Sequence, residues 1–417
     1  MQMKVTVRLL LPLLIFCACG IRKTEVKDGY AHLRSLPEIK PKLNEFLPVN
    51  FRLYAPSDTT GVCFVEVNPA DLLIKRDSLD EWSKNARFQL NVRKNNMGKE
   101  YIHRLEKSWV MKDEAVILDS FQFNFAKNED VLCELILTDL NKHNFHNKEI
   151  RWSRKQKLQP QHFVLIDPAK NIPAIQTFCK GDTLKIRSDH FQGSDLRISL
   201  YKGLSKPASA PFSWGNSSPD FQKPDSVYSI RPEVPVFEIP LREGFATISL
   251  EDKKQEVAGF FTYSSMDRST VFKSMEYFST SEEVARFRDT AVAHIAYNEF
   301  WEKASAKDKA RRKRLEEAFL ERVSYADKHF SSYKPGSLTD RGMIYIVFGE
   351  PERMQMEGFQ EIWIYQRIGM EQTGFVFLYD RDEIAPNNCY LERAQHFKSI
   401  YYMAVESWRT GLVNLEY

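Results

Sequence analysis

Gly336-Ser337-Leu338-Thr339-Asp340-Arg341-Gly342-Met343-Ile344-Tyr345-Ile346-Val347-Phe348-Gly349-Glu350-Pro351 decides how the C-terminal third is read. It follows a clear amphipathic helix, in which Leu315, Phe319, Val323, Ala326 and Phe330 recur at three- and four-residue steps. Lys334-Pro335-Gly336 ends that helix. Thr339-Asp340-Arg341-Gly342 is then a polar junction, and Met343 to Phe348 reads as a strand because its apolar run is rich in β-formers. Gly349-Glu350-Pro351 supplies a turn into further strands at Ile362 to Tyr365 and Phe375 to Tyr379. Upstream, Thr280-Ser281-Glu282-Glu283 has the form of a capping box. Val284, Phe287, Ala291, Ile295 and Trp301 continue from it at helical spacing, and a last helix covers Ile400 to Trp408. Residues 266–417 are therefore expected to form an α+β domain, helices first and a small antiparallel sheet after.

Toward the N-terminus the periodicity changes from helical to two. Val62 to Val67, Phe88 to Val92, Phe121 to Phe125 and Leu132 to Leu137 place alternate residues on opposite faces, with Glu81-Trp82-Ser83-Lys84 read as a turn among them. This predicts a β-sandwich-like domain over 46–155. A second β-rich domain is predicted over 156–265, with strands at Thr183 to Arg187, Leu196 to Tyr201 and Val236 to Ile239. Pro207, Pro211, Pro219, Pro224, Pro232 and Pro235 exclude a helix or central strand between the last two, so an irregular surface excursion is expected there. The fold class is multidomain: two β-rich, sandwich-like domains followed by an α+β domain.

The C-terminal third resembles, through five elements, the GWxTD domain of bacterial lipoproteins. They are Gly336-Ser337-Leu338-Thr339-Asp340-Arg341-Gly342, the Gly349-Glu350-Pro351 turn, Glu361-Ile362-Trp363-Ile364-Tyr365, Phe300-Trp301, and Arg322-Val323-Ser324-Tyr325-Ala326. The resemblance as read from these motifs covers Tyr277 to Leu391, and the tryptophan that names the family is Ser337 here. A β-rich region ahead of such a domain matches the layout of these lipoproteins in Bacteroidota-type bacteria. The resemblance implies an architecture and no particular activity. The motif residues Gly336, Thr339, Asp340, Arg341, Gly342, Gly349, Pro351, Glu361, Trp363 and Tyr365 are structural or binding candidates, and none is assigned as catalytic.

The first residues point to a compartment. Lys4 and Arg8 precede the apolar run Leu9 to Ala18, which has the length of a secretory signal and is shorter than the ~20 residues a spanning helix needs. Ala18-Cys19 resembles a lipobox, so residues 1–18 are expected to be a signal peptide, Cys19 to carry lipid, and residues 19–45 to be a tether. Acyl chains hold a protein to a membrane by the burial of their methylenes. No Asp follows Cys19 and no acidic cluster lies beyond it, which favours the outer membrane and its periplasmic face over the cell surface.

Composition fits a globular chain and not a disordered one. The chain has 417 residues, 43% of them hydrophobic and 13% aromatic, and a net charge of +3, too small to argue for nucleic acid. Of Cys63, Cys133, Cys179 and Cys389, the pair Cys63 and Cys133 is the best candidate for a disulfide, with buried free thiols as the default. His143 and His146 have no third ligand in view, so no metal and no cofactor is expected. The basic run Lys307 to Arg314 sits at a helix start beside Glu316, Glu317 and Glu321, where ion pairs account for most of it. The function expected is a non-catalytic binding or scaffold subunit of an outer-membrane protein complex, with membrane and other outer-membrane proteins as partners. The alternatives are an envelope hydrolase acting on glycan or peptide through Asp340, Glu350 and Glu361, or a carbohydrate binder using Trp214.

Overall fold

The computed structural model describes residues 50–413, apart from 77–80, 95–100, 113–114, 128, 153–157, 168–170, 176–177, 181–182, 203–205, 214–222, 242–243, 252, 264–267, 358–359, 367–371 and 380–387. The expected signal peptide, Cys19, the tether and Trp214 lie outside the described residues.

The period-two segments build a first sandwich from β1 (Asn50–Ser57), β2 (Thr60–Val67), β3 (Ile74–Arg76), β4 (Trp82–Lys94), β5 (Tyr101–Met111), β6 (Ile117–Asn124), β7 (Val131–Asp139) and β8 (Asn144–Trp152). One sheet has the order β1-β2-β6. The other has β3-β4-β7-β8, with β5 paired to β4. Cys63, Val65 and Val67 of β2 meet Phe88, Leu90 and Val92 of β4 and Cys133, Leu135 and Leu137 of β7 in one core. Each such side chain stabilises the fold by about 1.5–3 kcal/mol when fully buried. Cys63 and Cys133 are free buried thiols, so the candidate disulfide is absent and the default reading stands. The segment Glu81 to Lys84 is corrected: Trp82 opens β4, which β3 pairs from Ile74 to Arg76.

A second sandwich follows. Its strands are β9 (Val164–Ile166), β10 (Pro173–Ala174), β11 (Phe178–Lys180), β12 (Thr183–Arg187), β13 (Leu196–Tyr201), β14 (Ser226–Ile230), β15 (Val236–Pro240), β16 (Gly244–Leu250) and β17 (Lys253–Tyr263). The sheets β10-β9-β12-β15 and β11-β17-β16-β13-β14 enclose Phe163, Leu184, Ile186, Ile198, Ile248 and Phe260. The two sandwiches meet through Arg52, whose guanidinium donates to the Phe163 carbonyl at 2.8 Å, and through the Tyr54 hydroxyl, which bonds Asp189.

The remaining elements are α1 (Arg268–Ser274), α2 (Ser281–Arg288), α3 (Ala293–Ala304), α4 (Lys309–Phe330), α5 (Asp340–Phe348), β18 (Arg353–Glu357), β19 (Gln360–Tyr365), β20 (Thr373–Tyr379), β21 (Cys389–Leu391) and α6 (Phe397–Arg409). The four strands form an antiparallel meander, β18-β19-β20-β21. Thr280 and Glu283 make the capping box that starts α2. The single helix expected from Val284 to Trp301 is two helices, because the Asp289 carboxylate accepts the Ala291 amide at 3.0 Å and closes a turn between α2 and α3. The basic run is absorbed at the start of α4. Arg312 pairs with Glu316 and Glu302, Lys313 pairs with Glu317, and Arg311 donates to the Thr410 and Gly411 carbonyls just past α6.

The main correction concerns Met343 to Phe348, which is the helix α5 and not a strand. An apolar run without polar alternation cannot be assigned by periodicity, since a fully buried helix and a buried strand look alike. All of α5 is buried. What selects the helix is its start: Thr339 has extended backbone and its hydroxyl accepts the Gly342 amide at 3.1 Å. At its other end Gly349 adopts φ +88° and its amide donates to the Tyr345 carbonyl. The Gly349 to Pro351 turn therefore joins a helix to β18.

Candidate functional site

The polar motif lies in the interior, between α4, α5 and the meander. A short 3-10 turn, Gly336–Leu338, carries the chain from the end of α4 to Thr339. The Ser331 hydroxyl donates to the Asp327 carbonyl at 2.6 Å and accepts the Gly336 amide at 2.9 Å. Thr339 Oγ1 donates to the Gly336 carbonyl at 2.7 Å. Gly342 does not supply a positive backbone angle. It serves close approach instead, for a Cβ there would sit 1.9 Å from the Gly336 carbonyl oxygen. Position 337 is fully buried. A larger residue at this point of the backbone would be a core residue, not a platform for a ligand.

Two buried ion pairs tie the motif to the sheet. Asp340 pairs with Arg393 at 2.5 Å and accepts the Leu391 amide at 2.9 Å. Arg341 pairs with Glu361 at 3.3 Å, donates to the Tyr379 hydroxyl at 3.2 Å, and lies over the Phe330 ring at 5.2 Å. Glu361 also accepts the Trp363 indole N–H at 2.6 Å and the Tyr379 hydroxyl. Tyr365 donates to the Gly349 carbonyl at 2.9 Å, and Pro351 is buried. The carboxylate that partners Arg341 is thus Glu361. Glu350 sits beyond the far end of α5, a helix of about 13 Å at 1.5 Å rise per residue, and its electrostatic neighbours are Lys142 and Asp71. Asp340, Glu350 and Glu361 are thus not brought to one point.

Asp327 shows what burial costs here. Its carboxylate accepts the Ser337 amide at 2.8 Å, yet burial pushes its pKa up to about 6 from 3.8. A raised carboxyl pKa gives stability that is complete below pH 3.8 and is lost as pH rises through 6. Asp327→Asn keeps an acceptor for Ser337 and removes the charge. Denaturant unfolding should show this variant about 1–2 kcal/mol more stable than wild type at pH 7.5, with the gain vanishing near pH 3.5. A variant less stable at both pH values would refute the assignment of the strain to the buried charge.

The open part of this region is a cleft of about 1330 Å³ beside the motif. One wall is formed by residues 206–212, the start of the proline-rich excursion, which runs as a strap outside helix and strand. The strap is held by its carbonyls. Lys334 Nζ donates to Lys206 O at 2.9 Å, Arg393 to Ser209 O at 3.2 Å, the Ala394 amide to Pro211 O at 3.0 Å, and Gln395 to Phe212 O at 2.7 Å. Burial lowers the Lys334 pKa to about 8, against the opposing pull of Asp340. The other walls are α1, the turn after it, α2, the start of α3, and the Tyr401 to Val405 stretch of α6. Asp340 is linked to this cleft through Arg393, which holds the Ser209 carbonyl. Sequence reading missed the cleft, since its strap and helices are far apart in the chain; the proline density was the one available signal.

Among the described residues no group of three His, Cys, Asp or Glu side chains is placed to hold a metal ion, and no helix is long and apolar enough to cross a membrane.

The fold and site define a tandem β-sandwich protein closed by an α+β domain whose polar motif is internal. Residues 254–410 match the GWxTD domain family, and this C-terminal region is a GWxTD domain. The match begins inside β17 and ends past α6, so it extends beyond the Tyr277 to Leu391 span of the sequence motifs at both ends. No curated protein matches the chain. Among solved structures, a β-glucuronidase of Bacteroides uniformis is 9% identical over 27% of this chain and 14% of its own, with a TM-score of 0.18. The BSP domain of a biofilm-associated protein is 10% identical over 53% and 30%, with a TM-score of 0.24. A red sea bream transglutaminase is 8% identical over 53% and 32%, with a TM-score of 0.19. The chain spans about a third or less of the length of each of these three.

Proposed function

We propose that the protein is a lipid-anchored lipoprotein of the outer membrane, on its periplasmic face, acting as a non-catalytic binding or scaffold subunit of a protein complex. The observation that carries this reading is the use of every charged motif residue in internal bonding. Asp340 is committed to Arg393, and Glu361 to Arg341, Trp363 and Tyr379. A general acid–base pair must reach a substrate in a shared space. The two carboxylates of this motif reach the chain's own cations instead. The serial β-sandwiches and the open cleft add surface for a partner, and the Ala18-Cys19 sequence supports the anchor.

Two measurements test the reading. A fatty-acid analogue should label the wild type and not Cys19→Ala, and that variant should leave the membrane fraction or accumulate as precursor; an unlabelled wild type would sink the anchor. Affinity purification of the wild type from solubilised outer membranes should recover a reproducible set of envelope proteins, and recovery of none would sink the binding role.

A further inference from the structure

We infer that the GWxTD domain carries a docking site for a proline-bearing, aromatic-ended segment of a partner protein, and that residues 206–212 occupy that site in cis. This rests on the binding-subunit reading and names both its surface and the chemistry of its ligand. What fits the site is seen bound in it: Lys206-Pro207-Ala208-Ser209-Ala210-Pro211-Phe212. The strap belongs to the connection from β13 to β14, residues 202–225, which has no helix or strand among the described residues. Connections longer than about 12–15 residues without such elements are usually functional or linkers.

The bonding between strap and domain runs almost wholly one way. The carbonyls of Lys206, Ser209, Pro211 and Phe212 accept from Lys334 Nζ, the Arg393 guanidinium, the Ala394 amide and the Gln395 side chain. The last three donors are consecutive residues between β21 and α6. In return the Ala208 amide donates to the Tyr277 hydroxyl, which itself donates to the Ser337 carbonyl at 2.9 Å. Pro207 and Pro211 have no N–H to satisfy, and their fixed φ lowers the entropy lost on docking. Ala208 and Pro211 are buried, and the Phe212 ring lies 5.8 Å from that of Tyr401 and 5.3 Å from that of Tyr402. Main-chain bonds joined to pockets for a few side chains are how peptide sites combine affinity with specificity. An occupant on the same chain competes at an effective concentration on the order of millimolar, so the partner's segment must displace the strap.

The test uses the full chain in detergent and a fluorescein-labelled peptide of the 206–212 sequence, read by anisotropy. The peptide should bind about tenfold tighter to an open chain, with residues 206–212 replaced by Gly-Ser repeats, than to wild type. In the open chain, Gln395→Ala/Tyr402→Ala should weaken binding about tenfold with an unchanged thermal midpoint, and a peptide with alanine in place of both prolines should bind several-fold more weakly. In wild type, saturating peptide should speed hydrogen exchange of the Ala208 amide about tenfold, because it displaces the strap. No peptide binding to the open chain, equal binding to both chains, or unchanged exchange at Ala208 overturns the proposal. A mixed dimer of wild-type and open chains would make the occupant a second copy and overturns it as well. Envelope proteins that co-purify equally with wild type and with Gln395→Ala/Tyr402→Ala would overturn the site while leaving the binding-subunit role intact.

Discussion

Glu361→Ala should destabilise the C-terminal domain by about 3–5 kcal/mol, the range for removing one member of a buried ion pair. The carboxylate is 1% exposed and serves three groups at once: Arg341, the Trp363 indole and the Tyr379 hydroxyl. Truncation leaves a guanidinium in the interior beside two unpaired donors, and each buried unsatisfied group adds its own desolvation cost. Such a loss is a large share of the ~5–15 kcal/mol that holds a domain folded. Denaturant unfolding followed by tryptophan fluorescence measures it, since Trp363 sits in the network. Glu361→Gln should cost less, because the amide still accepts from Trp363. The double variant Arg341→Met/Glu361→Leu should recover much of the loss by replacing charge with apolar volume. An unfolding midpoint unchanged in Glu361→Ala would refute this account.

Asp340→Ala should cost about 2–4 kcal/mol and, unlike Glu361→Ala, loosen the strap. Asp340 fixes Arg393, and Arg393 holds the Ser209 carbonyl. The variant also frees the Leu391 amide at the end of the sheet. The expected signature is a lowered thermal midpoint, lower abundance in cells, and faster proteolysis within 206–213. A catalytic Asp340 predicts something different, a normally folded protein without function. Complementation beside thermal unfolding separates the two, and an intact midpoint with abolished function would overturn the structural role.

Much of the fold could be read directly from residue patterns. Strands with one buried and one polar face announce themselves by alternation, as Cys63, Val65 and Val67 do. The capping box at Thr280 and the stripe from Leu315 to Phe330 are equally local signals. The failures occur where burial is complete or where a single side chain reshapes the backbone. Met343 to Phe348 shows no polar side because α5 has no solvent face, and the hydroxyl of Thr339 settled its conformation. Asp289 divided a helix whose apolar spacing was continuous.

The candidate site divides in the same way. The sequence by itself determined which residues form the motif, the alternation of the sandwiches, and the kind of N-terminus expected, because these depend on residue type and short spacing. Only the tertiary structure decided that Asp340 and Glu361 face Arg393 and Arg341. It also decided that Gly342 admits the Gly336 carbonyl. And it alone placed residues 206–212 as the wall of a cleft with helices from the other end of the chain. The reason is physical: the ion pairs and the strap contacts join segments 20 to nearly 190 residues apart, and their partners are selected by packing and desolvation, which no local pattern encodes.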